Sequence, residues 1–274
     1  MTKSDLSVAV IGAGNWGGSL VAALRAADLG SLEVVGRDWR RARLDARVIW
    51  ICVPDAAIAA VAEKIAAVRR REKLRGQIVV HSSGAFSADV LERVRAAGAR
   101  VAAVHPVMSF PARAAVALEG VMFGIEARDA AVRRELSALV RRIGGVPFAV
   151  KAETKALYHA AGIFASPLLV SAITAAMETA RLAGLDDKTA TEWVKALVEA
   201  TVANVFARGP AKSFSGPFAR GDAETIDLHL QALAEHPILT DVYRSLARHA
   251  IAALPVKNRR ALTDAVGTGS RRIK

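Results

Sequence analysis

The stretch VAVIGAGNWGGSLVAAL, from Val8 to Leu24, changes from a strand pattern to a helix pattern across a run of glycines. Gly12, Gly14 and Gly17 have the spacing G-x-G-x-x-G. In this motif the first glycine permits a tight turn, the second lets the backbone approach a pyrophosphate, and the third lets the helix pack against the strand. The free N–H groups at the helix start favour negative charge. We expect a dinucleotide-binding turn; a plain tight turn in another α/β fold is the alternative.

The residues after the second predicted strand, Leu32–Val35, indicate which dinucleotide binds. An NAD site usually has an Asp or Glu at this strand's end to accept hydrogen bonds from the ribose. Here Gly36 and Arg37 follow, and Arg40 comes close behind. A guanidinium pairs with a phosphate through two hydrogen bonds, whereas a carboxylate repels it, so we predict NADP(H). Asp38 opposes this prediction unless it caps the next helix, and ordinary solvated charge is the alternative for the arginines.

The connection to the third predicted strand, Val48–Val53, is short. A parallel crossover needs ~10–12 residues for its helix alone, and this segment offers little more. There is room for one short helix but not for a helix, a strand and a loop. We therefore predict that the edge strand on the adenosine side is missing or abbreviated.

Strand and helix patterns alternate up to Lys151 and predict an α/β fold with a mainly parallel, doubly wound sheet. Ligands of such sheets lie beyond the carboxyl ends of the strands. Three polar turns fall there: VPD at Val53–Asp55, HSSG at His81–Gly84 and HPVMSF at His105–Phe110. We expect cofactor contacts from the first turn and from the glycine motif, at Gly12, Gly14, Asn15, Trp16, Gly17, Val53 and Pro54.

After Lys151 the strand pattern ends, so we predict a dinucleotide-binding domain over residues 1–152 and an all-helical substrate and dimerisation domain over 153–274. The helix predicted from Lys155 to Leu182 is apolar on nearly every face. A membrane span needs ~20 apolar residues, and this segment is long enough. Its polar residues and its position after a nucleotide-binding fold favour a subunit interface instead, because a helix that is apolar all round is otherwise a core or interface helix.

Composition supports a well-packed intracellular protein. The 274 residues are 53% hydrophobic, and the single cysteine, Cys52, excludes an internal disulfide and suits a reducing cytoplasm. The N-terminal apolar run is too short for a signal peptide. The formal net charge of +12 is spread along the chain without interleaved aromatic residues, so we expect a solvated basic surface and not a nucleic-acid interface. No Cys, His or carboxylate spacing indicates a metal site.

The ordered motifs GAGNWG, VPD, HSSG, HPVMSF, KALYHAAGIFAS and GPFARGD together resemble the Rossmann-like, DUF2520 domain-containing family of candidate NADP-dependent oxidoreductases. The resemblance spans nearly the whole chain. More distantly, the sequence is similar to pyrroline-5-carboxylate reductases and β-hydroxyacid dehydrogenases. These relatives imply an N-terminal dinucleotide domain and an all-helical C-terminal domain that forms a dimer.

The resemblance also implies candidate site residues. β-Hydroxyacid dehydrogenases have a Lys, and an Asn four residues later, where this chain has Lys155 and His159. Spacing of i, i+4 puts both on one helix face. A lysine serves as a proton donor in hydride transfer if burial and cationic neighbours lower its pKa, and His159 would share the proton or orient the substrate. The alternative is a solvated Lys155 and an interface His159.

Further substrate contacts are expected on two segments. In the same relatives a Ser-Gly turn binds substrate, which corresponds here to Ser83 and Gly84, and we include Ser82 and His105 from the neighbouring turn positions. His105 alternatively hydrogen-bonds strand-end backbone only. In the predicted long loop RGPAKSFSGPFARGD, Arg220 would bind a substrate carboxylate, or merely pair with Asp222.

The sequence therefore predicts a cytoplasmic, homodimeric oxidoreductase that transfers a hydride between NADP(H) and a small polar carbonyl, hydroxy or imine substrate. A dinucleotide-binding regulatory or scaffold protein without turnover is the alternative.

Overall fold

The computed structural model describes residues 6–37, 42–68, 74–110 and 115–267. The chain forms two compact units, residues 1–163 and 164–274. The first unit includes the helix that carries Lys155 and His159, so the candidate proton donor is packed with the sheet.

Within the described residues, seven strands form one sheet: β1 Ser7–Ile11, β2 Ser31–Val35, β3 Val48–Ile51, β4 Ile78–His81, β5 Arg100–Pro106, β6 Met122–Glu126 and β7 Val146–Ala149. Their order is β2-β1-β3-β4-β5-β6-β7, and every neighbouring pair is parallel except β5 and β6. The register places Ile11 opposite Ile51, and Ile51 opposite His81. The glycine turn, the VPD turn and the HSSG turn therefore follow aligned strand ends at one edge of the sheet.

The helices of the first unit are α1 Asn15–Ala26, α2 Ile58–Val68, α3 Glu92–Ala96, α4 Ala130–Arg142 and α5 Lys155–Ala165. Short 3-10 turns occupy Asp55–Ala57, Ala88–Leu91 and Ala152–Thr154. The helices of the second unit are α6 Pro167–Leu182, α7 Asp187–Arg208, α8 Pro210–Ser213, α9 Gly216–Arg220, α10 Ala223–Ala232, α11 Pro237–Ala253 and α12 Arg259–Val266. These elements confirm the predicted fold class, an α/β Rossmann-like region followed by an all-helical region.

Apolar clusters cover both faces of the sheet. Strand β3 is buried at every position, because helices pack on both of its sides. A strand with two buried faces reads as a continuous apolar run instead of an alternating one. The sequence VIWI of β3 fits this pattern.

Side chains hold the described part of the connection after β2. The Glu33 carboxylate accepts hydrogen bonds from the backbone N–H groups of Arg43 at 2.7 Å and Leu44 at 2.9 Å. Gln77 donates through Nε2 to the carbonyl oxygens of Leu44 at 2.7 Å and Ala46 at 2.6 Å. In the described residues β2 is an edge strand of the sheet, as the short connection predicts.

Two expectations about the helical part were wrong. The predicted helix from Lys155 to Leu182 is two helices, because Ser166 leaves the helical conformation and Pro167 begins α6. Proline is favoured at a first helical position and cannot supply the N–H that a continuous helix needs. The predicted irregular loop contains the short helices α8 and α9, each with a proline in its first turn.

Smaller differences concern element ends. The third strand ends at Ile51 instead of Val53, and the helix after it begins at Ile58 after a 3-10 turn. Within the described residues, length and composition alone allow one helical segment, Ala152–Leu182, to cross a membrane, and none of its most apolar window is buried.

Candidate functional site

The glycine turn has the geometry of a phosphate cradle. Gly12 has φ +94°, and a Cβ there would lie 2.5 Å from the carbonyl oxygen of Cys52. A Cβ on Gly17 would overlap the carbonyl oxygen of Gly12, so α1 packs directly on the turn. A Cβ on Gly14 would meet nothing within 4 Å. The first and third glycines are therefore required by packing, and the second leaves the backbone open to a ligand.

The start of α1 suits an anion. Gly14 is the N-cap residue and supplies no side-chain hydrogen bond to the first turn. The early N–H groups of a helix have no partners within the helix, and the helix dipole attracts negative charge there. The residues present thus fit the pyrophosphate of a dinucleotide.

The side chains of Asn15 and Trp16 make hydrogen bonds to other residues of the protein. Asn15 donates through Nδ2 to the carbonyl oxygen of Phe110 at 2.8 Å. The indole N–H groups of Trp16 and Trp50 both donate to the Ser82 hydroxyl oxygen, at 2.7 and 2.8 Å. These bonds tie the glycine turn to the HSSG and HPVMSF turns. Ser82 is therefore placed as a structural link, and its predicted contact with substrate stays a prediction.

The predicted 2′-phosphate site is described only in part. Arg37 is exposed directly after β2, where a phosphate would be reachable, and Arg40 lies outside the described residues. Val53 is half-buried and Pro54 is exposed at the end of β3, beside the glycine turn.

Lys155 is a buried charged residue of the first unit. Its side chain is 2% exposed, and Nζ lies 3.5 Å from Oε2 of Glu126, which is similarly buried at the end of β6. Oε2 also accepts the backbone N–H of Ala88 at 2.7 Å. Burial lowers the pKa of Lys155, and the negative charges of Glu126 and Asp55 oppose that shift. The alternative of a solvated Lys155 is wrong.

Ser83 links the VPD and HSSG turns. Its hydroxyl donates to Oδ2 of Asp55 at 2.6 Å and accepts the backbone N–H groups of Ala85 and Phe86. Its own N–H donates to Nδ1 of His81 at 3.1 Å. The Ser83 side chain is therefore oriented by three hydrogen bonds, and the Ser83 backbone N–H makes a fourth at the same turn.

His81 is a structural histidine below this turn. Nδ1 accepts from Ser83, so Nε2 carries the proton and donates to the carbonyl oxygen of Ser87 at 3.2 Å. Burial, helped by the positive charge of Lys155, lowers the pKa of His81 to about 3. His81 is therefore neutral at physiological pH.

Two further histidines lie over the HSSG turn. His105 Nδ1 is 2.7 Å from the Tyr158 hydroxyl, and the ring centroids of His105 and His159 are 6.0 Å apart. A Cβ on Gly84 would come within 2.6 Å of His159 Cδ2 and 2.8 Å of His105 Nε2. The first unit thus brings Ser83, Gly84, His105 and His159 together, and the charges of Lys155 and Asp55 both act on His105.

Arg220 belongs to the second unit. Its guanidinium lies 4.0 Å from Asp222, and its side chain is mostly exposed. This contact with Asp222 is the alternative that the sequence left open. The predicted substrate contact of Arg220 stays a prediction.

Sequence reasoning missed Glu126 and Tyr158, and gave no role to Asp55 beyond its turn. Glu126 had one usable signal, a carboxylate ending the strand pattern GVMFGIEA. Tyr158 lies within the quoted KALYHAAG segment, but nothing in the spacing shows that its hydroxyl reaches β5. Among the described residues no group of three or more His, Cys, Asp or Glu side chains is arranged to hold a metal ion.

Family models agree with this architecture. A Rossmann-like domain model matches residues 37–106, and the model of the domain of unknown function DUF2520 matches residues 121–250. The chain contains a Rossmann-like domain and a DUF2520 domain. The resemblance predicted from the sequence motifs is thereby confirmed. A comparison with curated proteins gave no match.

Solved structures with the same fold include named oxidoreductases. A candidate NADP oxidoreductase from Bacteroides fragilis is 20% identical with a TM-score of 0.71, over 90% of this chain and 98% of that one. An imine reductase from Myxococcus stipitatus in complex with NADP⁺ is 17% identical with a TM-score of 0.69, over 95% and 100%. A pyrroline carboxylate reductase from Plasmodium falciparum with NADP bound is 13% identical with a TM-score of 0.58, over 97% of each chain.

Proposed function

We propose that this protein is an NADP(H)-dependent oxidoreductase that acts on a small polar carbonyl, hydroxy or imine compound. The observation that carries the proposal is the buried ammonium of Lys155, which lies in the same compact unit as the glycine cradle. The named activities of the three structural relatives support it.

The chain's own residues would hold the cofactor at one edge of the sheet. Backbone N–H groups at Gly14, Asn15 and Trp16 would bind the pyrophosphate, and Arg37 would bind the 2′-phosphate. When bound, NADPH supplies a hydride, and the protein's part is to orient the reactants and provide a proton.

Lys155 is suited to that proton transfer. Reduction of a carbonyl places negative charge on oxygen, which takes the proton from Nζ and leaves a neutral amine. Burial lowers the pKa of Lys155, which makes its ammonium a stronger acid, while Glu126 keeps the proton on Nζ until it is needed. His159, one helical turn later on α5, would orient the substrate.

Location and assembly are part of the same proposal. The single cysteine, Cys52, suits a reducing cytoplasm, and the exposed apolar surface of the second unit suits a homodimer. We propose no role in binding nucleic acid or membrane.

Cofactor preference gives the first test. NADPH should bind more tightly than NADH, and Arg37→Ala should remove that preference, because a charge-assisted contact of this kind contributes about 1.5–3 kcal/mol. Calorimetric titration measures both affinities. Arg93→Ala, which removes another exposed arginine of the first unit, should leave the preference unchanged. Equal affinities in the unmutated protein would contradict the proposed 2′-phosphate site.

Turnover gives the second test. NADPH oxidation is measured against a panel of small aldehydes, keto acids and cyclic imines. Lys155→Ala should abolish turnover of any compound that is reduced while leaving NADPH affinity nearly unchanged, because a proton donor acts in the transition state. Lys151→Ala, which removes an exposed lysine nearby, is the matched control. Tight NADPH binding with no reduction across the panel would favour the non-catalytic alternative.

A further inference from the structure

His105 lies between two positions where the chain has no side chain. Gly124 on β6 is its register partner, and a Cβ there would lie 2.7 Å from the Tyr158 hydroxyl oxygen. On the HSSG turn, a Cβ on Gly84 would lie 2.8 Å from His105 Nε2. Gly124 therefore leaves space for Tyr158 beside Nδ1 of His105, and Gly84 lets Nε2 lie against the HSSG turn.

The hydrogen bond between Tyr158 and His105 has a preferred direction. Burial raises the pKa of Tyr158 to about 12, so the phenol keeps its proton at neutral pH. Burial, with the charges of His159 and Lys155, lowers the pKa of His105 to about 4, and the opposing charge of Asp55 does not reverse this. The imidazole is therefore neutral, with one donor nitrogen and one acceptor nitrogen.

The acidity of the two groups decides which nitrogen is the donor, because each tautomer leaves one donor without an acceptor among the described residues: the phenol O–H or the Nε2–H. A phenol O–H is a stronger acid than the N–H of a neutral imidazole, and an imidazole nitrogen is a stronger base than a phenol oxygen. The phenol therefore donates to Nδ1, and the ring proton is on Nε2. Among the described residues Nε2 of His105 has no hydrogen-bond partner, and it lies against the HSSG turn.

We propose that Tyr158 holds His105 as the Nε2–H tautomer and that this N–H donates a hydrogen bond to a carbonyl oxygen of a ligand bound over the HSSG turn. The inference rests on the proposed function for the ligand, but the tautomer does not depend on it. A neutral imidazole polarises a carbonyl without giving up its proton, because preorganised donors stabilise developing charge. Lys155 supplies the proton, His105 supplies a donor that does not titrate at neutral pH, and Tyr158 is a positioning residue.

The tautomer is measured on the full chain labelled with ¹⁵N-histidine. Multiple-bond ¹H–¹⁵N correlation spectra distinguish the two neutral tautomers and the cation, and His105→Asn identifies the resonance. We expect a single Nε2–H pattern for His105 from pH 6 to pH 9. A protonated Nδ1, or a cation in this range, overturns the proposal.

Two variants test the role of Tyr158. Tyr158→Phe removes the donor, and Gly124→Ala displaces the hydroxyl, so each should replace the single pattern by a tautomer mixture. Tyr243→Phe is the matched control, because Tyr243 makes the same bond to Nδ1 of His229 at 2.9 Å in the second unit. An unchanged His105 pattern in Tyr158→Phe overturns the positioning role.

The ligand oxygen has two possible sources, the nicotinamide carboxamide and the substrate carbonyl. A shift of the Nε2 resonance with NADP⁺ that is absent with thionicotinamide NADP⁺ assigns the donor to the carboxamide. A shift only when acetamide is added to the NADP⁺ complex assigns it to the substrate carbonyl. No shift in either arm overturns the ligand contact. Absence of NADP⁺ binding by calorimetry contradicts the proposed function instead, and acetamide added to the free protein then decides the contact.

Discussion

At the scale of single residues, the buried His81 contributes to how this protein responds to acid. His81 is fully buried, and the pKa of His81 in the folded protein is about 3 against 6.5 for an ordinary histidine. Its neutral form is required by the hydrogen bonds to Ser83 and Ser87. The unfolded chain binds a proton at His81 below pH 6.5, whereas the folded chain does not until about pH 3.

The sign of the resulting prediction follows from that difference in bound protons. Stability from His81 is complete above pH 6.5 and is lost as the pH falls from 6.5 towards 3. In His81→Gln the free energy of unfolding should therefore fall less steeply between pH 6 and pH 4, by about 1.4 kcal/mol per pH unit. Urea unfolding at a series of pH values measures the slope. The exposed His249→Gln should leave the slope unchanged; an equal slope in His81→Gln would show that His81 is already charged in the folded state.

The buried pair of Lys155 and Glu126 makes a second prediction at this scale. Removing only the lysine leaves a buried carboxylate without its partner. Such a change lowers the free energy of unfolding by roughly 3–5 kcal/mol. Lys155→Met should therefore be destabilised at pH 7, and Lys155→Met with Glu126→Gln should recover most of the loss. Thermal unfolding measures both. If the single variant is as stable as the double variant, the ion pair does not hold charge in the folded protein.

The limits of sequence reasoning at this scale are visible in the same residues. The i, i+4 spacing placed Lys155 and His159 on one helix face, and both lie in the candidate site. The carboxylates that act on Lys155, Glu126 and Asp55, come from strand ends far away in sequence. The spacing within a helix carries no information about which strand faces it. Burial of a lysine is likewise a property of the packed sheet, not of its neighbours in the chain.

At the scale of elements, the strand, turn and helix that contain the glycine motif were predictable because each glycine has a separate physical task. Gly17 packs on backbone, whereas Gly14 faces open space. Gly17→Ala should lower stability by about 1–3 kcal/mol or more, because the overlap is with a carbonyl oxygen that cannot move freely. Gly14→Ala should change stability by less than about 1 kcal/mol.

The ligand affinities of these two variants test the same element. Gly14→Ala should weaken NADPH binding although the protein is folded, because its methyl group would occupy the space that a pyrophosphate needs. Chemical unfolding and NADPH titration of both variants separate the two tasks. Normal NADPH affinity in Gly14→Ala would contradict the proposed location of the pyrophosphate.

Other elements were predicted less well for identifiable reasons. Apolar periodicity continues through Ser166 and Pro167, so periodicity alone merges α5 and α6 into one helix. The glycines and prolines of the segment before Gly221 predict a loop, yet Pro210 begins one short helix and Pro217 lies in the first turn of another. In both places proline acts as a first-turn residue, which is compatible with a helix start as well as with a break.

At the scale of the whole molecule, the second unit exposes many large apolar side chains. Val170 on α6 is 61% exposed, and Ile238 at the start of α11 is also exposed. Within this unit α6, α7, α10 and α11 line a groove of about 550 Å³ whose walls are mostly alanine and leucine. Large apolar surfaces of this kind mark interaction sites.

The polar side chains of α6 do not oppose such an interface. The hydroxyl groups of Ser171, Thr174 and Thr179 each donate to the carbonyl oxygen four residues earlier, at 3.1, 2.9 and 2.8 Å. Their hydrogen bonds are therefore made within the helix, and burying these hydroxyl groups would leave no donor unpaired. A symmetric pair of chains would cover the same patch on both subunits.

We therefore expect a homodimer in detergent-free buffer. Sedimentation at micromolar concentration should give twice the mass of one chain, and Val170→Glu should shift the protein towards monomer, because a buried carboxylate without a partner is strongly unfavourable. Val68→Glu, at a position on α2 that is 50% exposed in the first unit, should remain dimeric. A monomer in the unmutated protein would contradict the interface. If the protein stays in solution only when detergent is added, the result would instead favour the membrane alternative that the length of Ala152–Leu182 permits.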